Sequence, residues 1–200
     1  MIHSDTEIRY INAELGHGVF ARSPIPKGTL VVVNDPFMPD VVPADFESLS
    51  APFKNLVYKY SYVDKRGHHI IDWDHAKYIN HHCSSNTLTS GYGFQIAVRD
   101  IAQDEQIFAD DGLFNEPFDW ECHCGCTSCR RTITMNDFEK CSGDWDMRIR
   151  HVITGIFEVR QPLMFLINDA LRSELESLIQ APERCRSVTA LKFPARNLDR

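Results

Sequence analysis

The stretch Trp120-Glu-Cys-His-Cys-Gly-Cys-Thr-Ser-Cys129 holds four of the seven cysteines of this 200-residue chain. A fifth, Cys83, follows Asn80-His-His well upstream. Thiolates are ligands that Zn²⁺ favours, and four of them complete a tetrahedral structural site. The sequence therefore predicts one structural zinc ion on Cys83, Cys122, Cys124 and Cys129, which would tie a distant loop to a local knuckle. Cys126 is an alternative ligand.

A disulfide cluster or a set of loose thiols is the competing interpretation of these cysteines. An odd number of cysteines does not suit a disulfide framework. Disulfides are also rare in proteins of reducing compartments. The zinc interpretation is therefore favoured.

Composition and charge narrow the classes of partner. The net charge of −7 disfavours direct binding to nucleic acid, which needs basic patches, and favours a basic protein or peptide. The sequence has no apolar run of membrane-spanning length and no signal-peptide pattern at its N-terminus. We therefore expect a cytoplasmic protein that does not associate with membranes, although secretion into a host is left open.

Residues 1 to about 130 are interpreted as short strands separated by turns. The strand candidates are Gly28–Val33, Tyr60–Val63, His68–Ile71, Phe94–Val98 and Gln106–Ala109. Asp64-Lys-Arg-Gly67 lies between the second and third candidates and predicts a hairpin with a turn glycine. This part of the chain is therefore expected to be mostly β.

From Met147 to Ile179 the apolar residues recur at helical spacing. Pro162 suits the first turn of a second helix, and Pro182 lies just beyond its end. The sequence therefore predicts a C-terminal helical appendage that either packs on the first part or forms a homodimer. Residues 184–200 are basic and poorly patterned, and we expect partial disorder there.

Four segments in order resemble one family, the SET-domain protein-lysine methyltransferases. They are Gly16-His-Gly-Val-Phe-Ala21 with Ile25-Pro-Lys-Gly28, Tyr78-Ile-Asn-His-His-Cys-Ser-Ser-Asn86, Arg99-Asp-Ile-Ala-Gln-Asp-Glu-Gln-Ile107, and the cysteine knuckle, which is similar to a post-SET motif. Each motif is weak alone, but their order and spacing over residues 8–133 make the resemblance specific.

The resemblance implies a fold and a division of the chain. The fold would be a mostly β SET-type β-clip with a pseudoknot-like crossing near Asn80, plus the C-terminal helices, α+β overall. The domains would be a SET domain at 1–118, a post-SET zinc knuckle at 119–133 and a helical region at 134–200.

The resemblance also implies S-adenosylmethionine as cofactor and a lysine-containing basic protein segment, such as a histone-like tail, as substrate. Cofactor contacts would come from the main chain of the loop at Gly16, His17 and Gly18, and from Asn80 and His81. Trp120 would stack on the adenine. Asn86 would make a structural hydrogen bond.

The catalytic turn departs from the family pattern. In an ungapped comparison the catalytic tyrosine falls on Asp111 and a channel aromatic on Ala109, while a second channel tyrosine falls near Asn34. A carboxylate at Asp111 would hold the proton on the substrate lysine. A substitute hydroxyl could come from Tyr60, Tyr62, Tyr78 or Tyr92, and the spacing does not select among these four residues.

Three hypotheses follow from this comparison. The first is a protein-lysine N-methyltransferase with Asp111, or a substitute such as Tyr62, at the chemical centre. The second is a catalytically impaired SET module that binds cofactor or a protein tail. The third is a zinc scaffold that binds no cofactor.

Overall fold

A computed structural model describes residues 1–115 and 118–193 of the chain. The strands are β1 (Thr6–Asn12), β2 (Gly16–Ala21), β3 (Leu30–Val33), β4 (Asp40–Val41), β5 (Ser61–Val63), β6 (His69–Ile71), β7 (Asn80–His81), β8 (Thr87–Thr89), β9 (Phe94–Ala97), β10 (Gln106–Ala109), β11 (Trp120–Glu121) and β12 (Thr132–Ile133). The α-helices are α1 (Pro43–Ser48), α2 (Ala51–Tyr60), α3 (Asp137–Ile153) and α4 (Asp169–Leu178).

The strands in the described residues form small separate sheets. Their strand orders are β1-β2-β10-β7, β3-β9-β8, β4-β6-β5 and β11-β12. All the pairs are antiparallel except β7 with β10, which run parallel. Together with the helices they make the expected α+β fold.

The five strand predictions are confirmed within a few residues. Leu30–Val33 is buried along its whole length, as its run of branched apolar residues predicts. The hairpin of β5 and β6 has its turn at Asp64–Gly67, where the Gly67 amide donates to the Asp64 carbonyl at 2.9 Å. Gly67 has a φ of +78°, which glycine adopts at little cost.

The parallel pair of β7 and β10 holds the segment around Asn80 in place. Asn86 is fully buried just beyond this pair. Its side-chain amide donates to the Gln106 carbonyl at 2.8 Å, and its side-chain oxygen accepts from the Phe108 amide at 2.8 Å. The structural role predicted for Asn86 is confirmed, because it fastens the β7 segment to β10.

The interpretation of residues 1–130 as strands and turns alone was wrong between β4 and β5. Two helices, α1 and α2, occupy this region. Each carries a proline, Pro43 or Pro52, in its first turn, where a missing N–H costs no hydrogen bond. These prolines were the available signal. Helix α2 buries none of its residues. Its sequence therefore has no strong apolar stripe at helical spacing from which the helix could be predicted.

The C-terminal helices exist, but their boundaries differ from the prediction. Helix α3 begins at Asp137, well before Met147. The second helix does not begin at Pro162. Helix α4 begins at Asp169, after Asn168, whose side chain accepts from the Leu171 amide at 2.9 Å. An Asn cap satisfies an otherwise unpaired amide of the first turn, which sets the start of the helix there.

The helical region shares one hydrophobic core with the sheets and is not a peripheral appendage. Trp145, Ile149 and Leu175 pack in the same cluster as Leu30 and Phe94 from the β3-β9-β8 sheet. A second cluster lies around Val19, Ile25 and Ile107 and belongs to the N-terminal part alone. The predicted packing on the first part is therefore confirmed, and the homodimer stays a prediction.

The described end of the chain is ordered against this core. Val188, in a short 3₁₀ helix at Val188–Leu191, is fully buried. The Asn115 side chain donates to the Leu191 carbonyl at 2.9 Å and accepts from the Phe193 amide at 2.6 Å. The expectation of disorder was therefore wrong for 184–193, and residues 194–200 lie outside the described residues.

Across residues 1–115 and 118–193, no helix combines the length and the apolar character that a membrane span requires.

Candidate cofactor cleft and metal centre

The four predicted zinc ligands lie together. The sulfur atoms of Cys83, Cys122, Cys124 and Cys129 are all within 4.8 Å of one another, and those of Cys83 and Cys122 are 3.7 Å apart. A tetrahedral zinc with Zn–S bonds of about 2.3 Å separates its sulfurs by about 3.8 Å. The cluster therefore fits the ion, and the seven cysteines form no disulfide.

Local hydrogen bonds set the knuckle. Just beyond the short β11–β12 ladder, the Cys122 amide donates to the Arg131 carbonyl at 2.8 Å. The Cys129 amide donates to the Cys126 carbonyl at 3.1 Å, which closes a tight turn. The Arg130 amide points at the Cys83 sulfur from 3.4 Å, as amides do around metal-bound thiolates.

Burial raises the pKa of the Cys83 thiol to about 11 and raises the pKa of Cys122 as well. These sulfurs hold their protons tightly when no cation is near. A divalent metal would replace those protons, since only thiolates bind it.

The alternative ligand, Cys126, lies at the edge of the cluster. Its sulfur is 3.5 Å from that of Cys124, and together with His82 these two form a second possible group of three ligands. The first group contains the predicted set of four and includes the buried Cys122, so it remains the better zinc site.

An ionic network, which the sequence analysis missed, fastens the knuckle to α3. The Arg130 guanidinium pairs with the buried carboxylate of Asp110 and lies 3.5 Å from a carboxylate oxygen of Asp137. Asp110 also accepts from the Trp145 indole at 3.0 Å. In the sequence, the only indication of this network was an arginine directly after the last knuckle cysteine.

A cleft of about 610 Å³ lies beside the metal cluster, within the usual size range of ligand pockets. Asn80, His81, Asp111 and Trp120 line it, together with Glu14 and Leu15 from the β1–β2 turn. Gln106 also lines the cleft, and its buried amide nitrogen has no hydrogen-bond partner among the described residues. An open donor in a ligand-sized cleft is what a bound polar cofactor would satisfy.

The three residues of the predicted glycine loop are not among the residues that line this cleft. Gly16, His17 and Gly18 begin strand β2, and the turn before them reaches the cleft. The Asn80 side-chain amide donates to the His17 carbonyl at 3.1 Å. A Cβ on Gly18 would lie 2.6 Å from the Gln106 amide nitrogen, so Gly18 keeps room for that side chain.

His81 connects the metal cluster with the cleft. Its Nε2 is 3.4 Å from the Cys83 sulfur, and its Nδ1 accepts from the Asp111 amide at 3.0 Å. Burial and the nearby Arg130 charge lower the pKa of His81 to about 3, so the ring is neutral. Its ring meets that of Trp120 edge to face at 5.1 Å between centroids. The predicted contact of His81 with the adenine stays a prediction.

A second pocket of about 290 Å³ lies on the other side of Asp111 and has aromatic walls. Those walls come from Tyr58, Tyr60, Tyr62, Phe114, Phe118 and Trp120. Ala109 and Asp111, which the ungapped comparison aligns with aromatic positions of the family, also line it. Asp111 and Trp120 line both the cleft and this aromatic pocket, so the two spaces are neighbours at these two side chains.

A family model for the SET domain matches residues 16–110. Residues 16–110 are a SET domain. Among solved structures, the methyltransferase domain of human histone-lysine N-methyltransferase SETMAR is similar at 14% sequence identity and a TM-score of 0.45. The match covers 66% of this chain and 58% of that one. No curated protein sequence matches the chain.

The SET domain places two of the four substitute tyrosines at the aromatic pocket. Tyr60 and Tyr62 line it, and the Tyr62 hydroxyl lies 3.3 Å from the Asn34 amide nitrogen. Burial raises the pKa of Tyr62 above its usual value, so this hydroxyl keeps its proton. Tyr78 packs against Tyr60, while the Tyr92 hydroxyl accepts from the Arg186 amide at 2.7 Å.

The matched range begins and ends inside the predicted SET domain at 1–118. The three predicted domain boundaries stay predictions.

Proposed function

We propose that this SET-domain protein is an S-adenosylmethionine-dependent protein-lysine N-methyltransferase that acts on a basic protein segment such as a histone-like tail. One observation carries the proposal. The ligand-sized cleft and the aromatic pocket are neighbours at Asp111 and Trp120. A methyl donor in the first and a lysine side chain in the second would therefore come together at this junction.

The residues of the cleft suit the proposed donor. Asn80, Trp120 and the open amide of Gln106 would hold it, since they offer hydrogen bonds and a flat apolar surface. When bound, S-adenosylmethionine supplies a methyl group on a positively charged sulfur. The Asp111 carboxylate at the junction would face that charge.

The aromatic pocket suits the proposed acceptor. A lysine must lose its proton before its nitrogen can attack, which costs about 4–5 kcal/mol at neutral pH. Tyr60, Tyr62 and Phe114 would exclude water from the ammonium group and so lower its pKa. Net charge −7 would draw a basic segment to the protein.

A second candidate function is a SET module that binds cofactor or a protein tail without efficient transfer. Ala109 and Asp111 favour it, because neither offers the hydroxyl that the family pattern has at this junction. The zinc scaffold without cofactor is the third.

The test combines calorimetry with S-adenosylmethionine and transfer of a labelled methyl group to a panel of basic proteins. Wild type, Asp111→Tyr and the control Asp119→Asn, at an exposed position, are compared. Transfer by wild type supports the methyltransferase. Cofactor binding without transfer supports the binding module, and gain of transfer in Asp111→Tyr locates the defect. An absence of binding heat from folded, zinc-loaded protein supports the scaffold.

A further inference from the structure

Asp72 lines the aromatic pocket and lies directly after strand β6. It has no role in either of the functions proposed above. Its Oδ1 is enclosed and has no hydrogen-bond partner among the described residues. Burial raises the pKa of this carboxyl to about 6, so it is largely ionised at neutral pH. An enclosed carboxylate oxygen without a hydrogen-bond partner is costly, and proteins usually supply a partner.

Two lysines, Lys59 and Lys77, and a second carboxylate, Asp111, also line the aromatic pocket. The Lys59 ammonium lies over the Tyr60 ring at 5.3 Å. The charged groups that act on the Asp72 carboxyl are the Met1 ammonium, Asp35, Asp74 and Lys77, and each of them has another contact. The Met1 ammonium bonds to Asp35 at 2.6 Å. Asp74 accepts from the Ile2 amide at 2.8 Å, and the Lys77 ammonium lies over the Tyr78 ring at 5.7 Å. In the part of the chain that the structure describes, Asp72 therefore forms no ion pair.

We propose that Asp72 is the anion that binds the ammonium group of the target lysine in the aromatic pocket. This inference rests on the proposed function, since it assigns the substrate's charged end to a residue of the same site. Tyr60 and Tyr62 line the same space, and the Lys59 ammonium lies 5.3 Å from the centre of the Tyr60 ring, so an aromatic wall of this pocket already attracts a cation. A carboxylate within aromatic walls selects a long cationic side chain over a neutral one of the same length.

The chemistry makes Asp72 a specificity-determining residue rather than a base. A carboxylate with a pKa near 6 is a much weaker base than an amine near 10.4, so it holds the protonated amine and does not remove its proton. Its stabilisation of the ammonium opposes the proton loss that precedes methyl transfer. Asp72 therefore contributes to binding, and the proton leaves by another route.

The test measures binding of n-butylammonium, which copies the end of a lysine side chain, by NMR titration of the zinc-loaded full chain. Asp72→Asn keeps the shape and removes the charge, while Asp119→Asn removes a nearby exposed charge. 1-Butanol is the neutral probe. Wild type and Asp119→Asn should bind the cation alike, Asp72→Asn should bind it at least tenfold more weakly, and the alcohol should bind equally poorly to all three.

Two further readouts separate recognition from a purely structural role. Loss of a buried unpaired charge should raise the melting temperature of Asp72→Asn, whereas loss of a structural contact would lower it. The affinity of wild type for the cation should fall as the pH drops below about 6, and that of the variant should stay flat.

Equal affinity of wild type and Asp72→Asn, or no binding of the cation by wild type, would overturn this assignment. Methyl transfer is measured separately. If butylammonium binding depends on Asp72 but no methyl group is transferred, the role of Asp72 stands and the methyltransferase proposal fails. If methyl groups are transferred but Asp72→Asn binds butylammonium as well as wild type does, the methyltransferase proposal stands and the role of Asp72 fails.

Discussion

Replacing Ile149 with alanine tests whether the C-terminal helices and the SET domain fold as one unit. Ile149 lies on α3 and is 1% exposed. It belongs to the hydrophobic cluster that also contains Leu30, Leu88 and Phe94 of the β3-β9-β8 sheet. Removal of three buried carbon atoms from such a site costs their transfer free energy plus that of the cavity left behind. The expected loss is about 3–4 kcal/mol, within the range for truncating large aliphatic side chains.

The loss should appear in both halves of the molecule. For a chain of this length, 1 kcal/mol corresponds to about 2–4 °C in melting temperature, so a decrease of about 6–16 °C is expected. Urea unfolding is followed by tryptophan fluorescence and by far-ultraviolet circular dichroism. Coincident transitions with an unchanged m-value would indicate a single cooperative unit.

Met147→Ala is the matched control, because it shortens a side chain on the same helix that is 59% exposed. Its effect should stay within about 0.5 kcal/mol. A cost below about 1 kcal/mol for Ile149→Ala, or a sheet transition that persists after the helices have melted, would refute the shared core.

Three other predictions concern the site and its supports. Elemental analysis should find one zinc per chain, most of it lost in Cys83→Ser and retained in Cys126→Ser; equal retention in both would argue against the assigned ligands. Asn86→Ala should cost about 1–3 kcal/mol in urea unfolding, because it leaves the partly buried Phe108 amide unpaired, and a cost near zero would contradict that role. The Asp72 carboxyl holds its proton more tightly in the folded chain, with a pKa of about 6 against 3.8. Its stabilising contribution is therefore present at low pH and lost as the pH rises through about 6, so Asp72→Asn should be about 2–3 kcal/mol more stable than wild type at pH 8 and less than about 1 kcal/mol more stable at pH 4. A constant difference across that range would be inconsistent with a buried titrating carboxyl.

The sequence predicted the features whose causes are local or chemically specific. The spacing of the knuckle cysteines limits which sulfurs can share an ion, and the Asp64–Gly67 turn requires a residue that tolerates a positive φ. A continuous run of branched apolar residues predicts a buried strand, as at Leu30–Val33. Each of these patterns has few alternative solutions, so each could be interpreted without a structure.

The features that the sequence did not predict depend on contacts between distant segments. The Asp110 carboxylate meets Arg130 and Trp145 only after the knuckle has folded back on α3. In the sequence Asp72 is an ordinary polar residue at the end of a strand. Only the folded pocket shows that its Oδ1 is enclosed and has no hydrogen-bond partner among the described residues. No spacing rule within the chain encodes either arrangement.

A metal ion on the four cysteines would influence the neighbouring cleft through His81 without touching it. Cys83 would hold the ion, and the His81 ring joins the Cys83 sulfur on one side to the Asp111 amide on the other. His81 is neutral, so one ring nitrogen donates while the other accepts, and Nδ1 is the acceptor. A thiolate at Cys83 would accept the remaining proton at Nε2 and so fix the ring tautomer. A metal on Cys83 would thereby favour the tautomer that accepts from the Asp111 amide, and Asp111 lines both the cleft and the aromatic pocket.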